Sequence, residues 1–234
     1  MKRYRWVLFD ADHTLFDFDK ASEEALAEVL LLNGQHWEEG MFEDYRQINA
    51  QCWKEYETGV INRDTLVYER FRRYFQLRQL DLDPVASQKQ YLVRLGAKPY
   101  LMPGAADLMS WLEGRIGIGY VTNGMPEVQR PRLELIGWEK RFDVIVIAGE
   151  IGASKPHAAY FQHVHQQIGT PDHAEVLVVG DNLTADIEGA ASFGYHTCWY
   201  NPQQEHCHLP KDPDYTILHL SELREILSAG PVSM

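Results

Sequence analysis

The chain has 234 residues, 45% of them hydrophobic and 12% aromatic, and carries a formal net charge of -12. That length suits one large α/β domain, or a core domain with a smaller insert. The acidic balance argues against a nucleic-acid polymer as partner, and no apolar run approaches the roughly 20 residues that cross a bilayer.

The first strand pattern is Trp6-Val7-Leu8-Phe9, entered directly from Met1-Lys2-Arg3, so no signal peptide is expected. From about Phe16 to Lys98 no convincing strand occurs. Apolar residues there recur at helical spacing, as in Ala25, Leu26, Val29 and Leu30, and again in Phe71, Tyr74 and Phe75. Strand patterns return at Ile116–Val121, Val144–Ile147 and Val176–Val179, with a weaker one at His196–Tyr200. Helical patterns at 104–113, 126–136, 157–168 and 184–193 separate them. Strands that are apolar at nearly every position suit a parallel sheet covered on both faces. The alternation predicts a doubly wound, Rossmann-like parallel sheet built from 1–16 and 98–234, with a helical domain, 17–97, inserted after the first strand. Pro202–Asp214, rich in Pro and His, reads as a surface loop before a last helix at 221–228. Its His206-Cys207-His208 reads as a polar loop rather than a soft-metal site. Cys52, Cys198 and Cys207 form no CxxC pair, which fits a reducing cytoplasm.

In open α/β sheets, ligands bind at the carboxyl ends of the strands. Four such ends carry candidate chemistry. Asp10-Ala11-Asp12-His13-Thr14 puts two carboxylates close together, and they repel unless a cation or a proton separates them. A hard cation with oxygen ligands such as Mg²⁺ would resolve that repulsion, although helix-capping aspartates would look the same in isolation. Thr122-Asn123-Gly124 offers a hydroxyl, an amide and flexible backbone to an anion, or forms an ordinary turn. Lys155-Pro156 fixes a point charge ahead of a helix. Gly180-Asp181-Asn182-Leu183-Thr184-Ala185-Asp186 adds Asp181 at a strand end and Asp186 in the first helical turn after it. An acidic surface repels small phosphates, so a phosphate site here needs local positive charge, which a metal and Lys155 would supply. The four stretches together, in this order and each at a strand end, point to one site.

These four stretches resemble the motifs of the haloacid dehalogenase superfamily, and the resemblance spans nearly all of the sheet domain. It implies that Asp10 attacks phosphorus and becomes an aspartyl phosphate, while Asp12 protonates the leaving alcohol and then activates water. It further implies that Thr122 and Lys155 hold the phosphoryl oxygens, with Asn123 beside them. Mg²⁺ would be bound by Asp10, the backbone carbonyl of Asp12, and Asp181, with Asp186 in support. The insert corresponds to the family's helical cap. His13 departs from the family pattern, where many members have glycine. A dehalogenase of the same superfamily would need neither Asp12 nor the acidic fourth motif, whereas a phosphomutase would retain all four.

The stretch 44–61 and the opening Phe9–Asp19 are similar to the pyrimidine 5′-nucleotidase branch of that superfamily. The substrate this implies is a small phosphorylated molecule, a (deoxy)pyrimidine nucleoside monophosphate; sugar phosphates and other small esters stay open. Tyr45, Asn49, Trp53 and Tyr56 are spaced by four, four and three, which puts them on one helical face. That face could stack on a base and read its edge, or it could be an aromatic core stripe. A monomer or a homodimer is expected.

Overall fold

A computed structural model describes residues 4–229. In chain order, β1 (Trp6–Phe9) is followed by helices α1 (Phe18–Leu32), α2 (Met41–Glu57), α3 (Arg63–Arg78) and α4 (Pro84–Gly96). Then come α5 (Ala105–Leu112), β2 (Gly117–Thr122), α6 (Pro126–Leu135), β3 (Val144–Ile147), the single turn α7 (Ala148–Ile151), α8 (Ala158–Gln167) and β4 (Val176–Gly180). A π-helical turn, Leu183–Glu188, runs into α9 (Gly189–Phe193), and β5 (His196–Tyr200), β6 (Tyr215–Ile217) and α10 (Leu223–Ala229) complete the described chain. The chain divides into two compact units: Phe18–Pro99, and the remainder, which ends at Asp17 and resumes at Tyr100.

The larger unit is a six-stranded sheet in the order β3-β2-β1-β4-β5-β6, parallel throughout. Its strands read as unbroken apolar runs because both faces are covered. Val7 and Phe9 of β1 and Leu177 and Val179 of β4 bury toward α5 and α10, against Leu108, Leu112 and Leu223. The alternate residues Leu8, Val176 and Val178 bury toward α8 and α9, against Phe161, Val164 and Ala190. Each such side chain contributes about 1.5–3 kcal/mol through burial. Phe9 is level with Tyr120 on β2 and with Val179 on β4. The strands following β1 add on opposite sides of it, which makes the β1/β4 boundary the switch point of the sheet. The sixth strand was not expected from the sequence. It is a three-residue edge strand, Tyr215–Ile217, too short to display alternation and placed directly after the Pro- and His-rich loop.

The smaller unit contains the four helices α1–α4. Asn62 and Asp83 cap α3 and α4 by accepting hydrogen bonds from Thr65 N and Val85 N, and Pro84 occupies the first helical position of α4. Its centre is aromatic, and this corrects the reading of the α2 stripe as a substrate face. Tyr45 is fully buried, with Phe71, Tyr74 and Tyr91 around its ring at centroid distances of 5.4–5.6 Å. Asn49 is buried too, and its Oδ1 accepts from Arg70 Nη1 at 3.0 Å. A side chain consumed by core packing cannot also stack on a ligand. Trp53 is half-buried and meets Tyr56 edge-on. Among the described residues, no helix is long and apolar enough to cross a membrane.

Candidate active site

The parallel register brings the ends of β1, β2 and β4 level, and the four predicted stretches emerge from that edge or from the loop after β3. Lys155 lies at their centre. Its Nζ, with the residue only 2% exposed, donates to Asp10 Oδ1 at 2.6 Å, to Asp186 Oδ1 at 2.6 Å and to the Val121 carbonyl at 2.9 Å. An ammonium has three protons, and all three are engaged. Burial alone would push this lysine down, but the Asp10 and Asp186 carboxylates more than reverse that and hold it above the ordinary lysine range.

Asp10, Asp181 and Asp186 each offer a carboxylate oxygen, and the three oxygens lie within 4.8 Å of one another. Burial raises Asp10 to about 7, with the Asp186 and Asp12 charges adding to the shift and Lys155 opposing it. Asp181 is pushed up well above the usual carboxylate range, first by burial and then by the Asp10 and Asp186 charges. Three crowded carboxylates facing one ammonium leave excess negative charge, and a hard cation removes it. The donors are oxygens only, which suits Mg²⁺ rather than a soft metal. The trio is held firmly. Thr14 Oγ1 donates to Asp181 Oδ1 at 3.3 Å, and Trp199 Nε1 donates to the Asp181 carbonyl at 2.8 Å. Asp186 Oδ2 accepts from Asn182 N at 3.1 Å. Asp186 sits in the π-helical turn, a local irregularity often used to aim a functional side chain, and not in a regular first helical turn as expected. Gly180 makes room for it: a Cβ at that position would lie 2.3 Å from Asp186 Oδ2.

The Asp12 side chain is not part of the trio. Its Oδ2 accepts from Gln129 Nε2 at 2.7 Å, and its Oδ1 accepts from Arg132 Nη1. Gln129 Oε1 in turn accepts from the Tyr120 hydroxyl. Thr122 Oγ1 accepts from Gly124 N at 2.9 Å, which leaves the hydroxyl proton free to donate elsewhere. Asn123 is directed at the backbone of Lys155, accepting from its N and donating to its O, both at 2.9 Å. It therefore holds the lysine in place with its oxygen and one of its two amide protons. His13 has φ 64°, in the left-handed region that glycine enters freely and histidine occasionally occupies.

Thus Asp10, Asp12, Thr122, Lys155, Asp181 and Asp186 come together in one unit, with Asn123 beside them. Tyr45, Asn49 and Trp53 belong to the helical unit. The sequence reading missed Gln129 and Arg132. They stand three apart on α6 and share a helical face, and both are fully buried, which is unusual for these residue types.

Residues 4–194 match the hydrolase family described as haloacid dehalogenase-like hydrolase. The chain is similar to the pyrimidine 5′-nucleotidase YjjG of Escherichia coli (strain K12), 32% identical over 96% of this chain and 98% of that protein. It is also similar to the pyrimidine 5′-nucleotidase PynA of Streptococcus pneumoniae, 32% identical over 96% and 95% of the two chains. Among solved structures, the putative HAD-hydrolase YfnB of Bacillus subtilis, bound to magnesium, superposes with a TM-score of 0.90 at 33% identity, covering 97% of this chain and 100% of that one. An L-2-haloacid dehalogenase from Xanthobacter autotrophicus, at 19% identity and a TM-score of 0.75, shares the fold.

Proposed function

The chain belongs to the haloacid dehalogenase-like hydrolase family, and we propose that within it the protein is a Mg²⁺-dependent phosphomonoesterase acting through a covalent aspartyl phosphate on Asp10. The observation that carries this reading is Lys155, buried between Asp10 and Asp186 beside the third carboxylate, Asp181. A nucleophilic carboxylate must be held at a fixed angle for in-line attack, and the Lys155 hydrogen bond to one oxygen, Oδ1, leaves Oδ2 to attack phosphorus. As the Asp10–phosphorus bond forms, the ester P–O bond breaks and the leaving oxygen takes a proton from Asp12. Asp12, now a carboxylate, removes a proton from water. The water oxygen attacks phosphorus, phosphate departs, and Asp10 is regenerated. Thr122 donates its free proton to a phosphoryl oxygen. The Lys155 proton that faces Asp10 is positioned to turn toward the phosphoryl group once Asp10 is esterified. Mg²⁺, held by Asp10, the Asp12 carbonyl and Asp181 with Asp186 behind them, would neutralise phosphoryl charge when bound. Asp12 and Asp181 would have no task in halide displacement, which supports the phosphatase over the dehalogenase reading.

For the substrate, the proposal is a (deoxy)pyrimidine nucleoside 5′-monophosphate. Its support is the naming of two relatives that align with nearly the whole chain as pyrimidine 5′-nucleotidases. Trp53 is retained as the candidate residue for stacking on the base. The test is phosphate release from a panel of nucleotides, sugar phosphates and small organic phosphates, with and without EDTA. Nucleoside monophosphates should lead the panel, and activity should stop on chelation and return with Mg²⁺. Sugar phosphates outperforming nucleotides would overturn the substrate, full activity after chelation would overturn the metal, and activity retained in Asp10→Asn would overturn the nucleophile.

A further inference from the structure

We propose that Arg132, Gln129 and Tyr120 form a positioning clamp on Asp12, so that proton transfer to the leaving group depends on residues that never touch the substrate. The inference rests on Asp12 being the acid and base of the proposed reaction.

The geometry is that of a relay with only one consistent polarity. Each Asp12 oxygen accepts one hydrogen bond, which leaves a second lone pair on each to carry the catalytic proton, and the group facing Oδ2 is the Gln129 amide nitrogen, at 2.7 Å. The Gln129 oxygen is then turned away from Asp12 and needs a donor, which the Tyr120 hydroxyl supplies. The other oxygen, Oδ1, faces Arg132 Nη1, and this pair brings a guanidinium that is 0% exposed to a carboxylate that is 23% exposed. The arginine has no other polar partner: its Nε and Nη2 lack acceptors among the described residues, and its plane rests 4.8 Å from the centre of the Phe16 ring. A buried guanidinium so poorly satisfied is costly as structural reinforcement. Its one strong contact is with Asp12, which is where its cost finds a return in aim. Gly124 tightens the arrangement, because a Cβ there would lie 2.1 Å from Gln129 Nε2. The amide that orients Asp12 therefore fills the space that a side chain at Gly124 would need. Two oxygens held from two directions fix both torsions of a short side chain, which is what an acid needs to meet a leaving oxygen within hydrogen-bond reach.

Tests must separate aim from stability, since Arg132 variants alone could unfold. Tyr120→Phe and Gln129→Met keep shape, Gly124→Ala displaces Gln129 without removing it, and Arg132→Lys retains a charge that Arg132→Met lacks. Each is assayed on an alkyl phosphate, whose leaving oxygen needs a proton, and on an aryl phosphate bearing a nitro group, whose leaving oxygen does not. Proton donation contributes roughly 10²–10⁴-fold, so loosening the donor should lower kcat on the alkyl ester by about ten- to a hundredfold, with a much smaller loss on the aryl ester and little change in KM. Arg132→Lys should recover more of the alkyl activity than Arg132→Met. In an Asp12→Asn background the Gln129 and Tyr120 changes should cost nothing further, because the group they aim is gone. Equal losses on both esters, or losses that add to that of Asp12→Asn, would overturn the clamp and leave a structural cluster. If Asp12→Asn itself slows both esters alike, the acid role of Asp12 falls and the clamp with it, while the Asp10 nucleophile, tested separately by Asp10→Asn, stands.

Discussion

Lys155→Met should be the most damaging single change outside the nucleophile, for a reason that can be worked from distances. The native ammonium satisfies two carboxylates at 2.6 Å each, and both residues, Asp10 and Asp186, are buried. Methionine keeps most of the volume but leaves two crowded, buried carboxyl groups without a counter-ion, so that each must either take up a proton or stay ionised beside the other. Removing one partner from a buried ion pair costs about 3–5 kcal/mol, more than a surface ion pair is ever worth. At roughly 2–4 °C per kcal/mol for a chain of this size, the metal-free protein should melt about 6–20 °C lower. Mg²⁺ should then stabilise the variant more than the parent, because the uncompensated carboxylates gain most from a cation; at about a hundredfold Kd, binding to the native state alone returns about 2.7 kcal/mol. Asp10→Asn in the same chain should restore part of the loss by removing one of the two charges. The assay is thermal unfolding of the four proteins (parent, each single variant and the double) in EDTA and in Mg²⁺. A Lys155→Met protein that melts within about 2 °C of the parent in EDTA would refute the account of Lys155 as the electrostatic anchor of the site.

The metal-free parent should lose stability as pH rises from about 4 to about 7. Asp10, raised to about 7 in the fold, binds a proton there that the unfolded chain has released, and the gain in melting temperature from Mg²⁺ should grow over the same window. Melts that do not change with pH in EDTA would contradict this. Gly180→Ala should weaken Mg²⁺ binding and cost about 1–3 kcal/mol, since its Cβ would meet Asp186 at 2.3 Å, as read by metal titration and a melt; unchanged metal affinity would show that Asp186 can move freely. Trp53→Ala should reduce kcat/KM for a nucleoside monophosphate by about ten- to a hundredfold, the equivalent of one lost base stack, and spare acetyl phosphate. Parallel loss of both activities with a lowered melting temperature would mark Trp53 as core.

How much of this was legible beforehand depends on what each residue type announces. Asp10 and Asp181 were readable because a charged residue directly after an apolar strand has few structural excuses, while Lys155, beyond α7 in the loop after β3, and Asp186, in the π-helical turn, were readable only through their order relative to those two. The strands themselves were readable because burial on both faces leaves a run such as Val176–Val179 with no polar position. For Tyr45 the sequence left two readings open, for the converse reason. A helical stripe of aromatics has the same spacing whether it faces a ligand or Phe71, Tyr74 and Tyr91, and periodicity carries no information about what lies opposite. β6 was missed because three residues cannot show a period, and its pairing with β5 is a long-range contact that no local pattern encodes.

Gln129 and Arg132 show where sequence reading stops even when the residues are polar. On a helix, the default place for both is the solvated face, and their spacing alone would suit a surface pair. Their meaning depends on Asp12, 117 and 120 positions earlier, and on Tyr120 reaching across from β2. The motif supplies the reacting group, and the fold supplies the groups that aim it. That division explains how Asp12 can lie one turn of strand from Asp10 and still do different work. Asp10 is drawn into the buried cation site by Lys155, while Asp12 is drawn out of it by Arg132 and Gln129. Two carboxylates two residues apart would otherwise compete for the same charge. Separate partners keep one as nucleophile and free the other to carry a proton, and a variant that removed both sets of partners should let the pair collapse onto a single shared cation and lose the second role first.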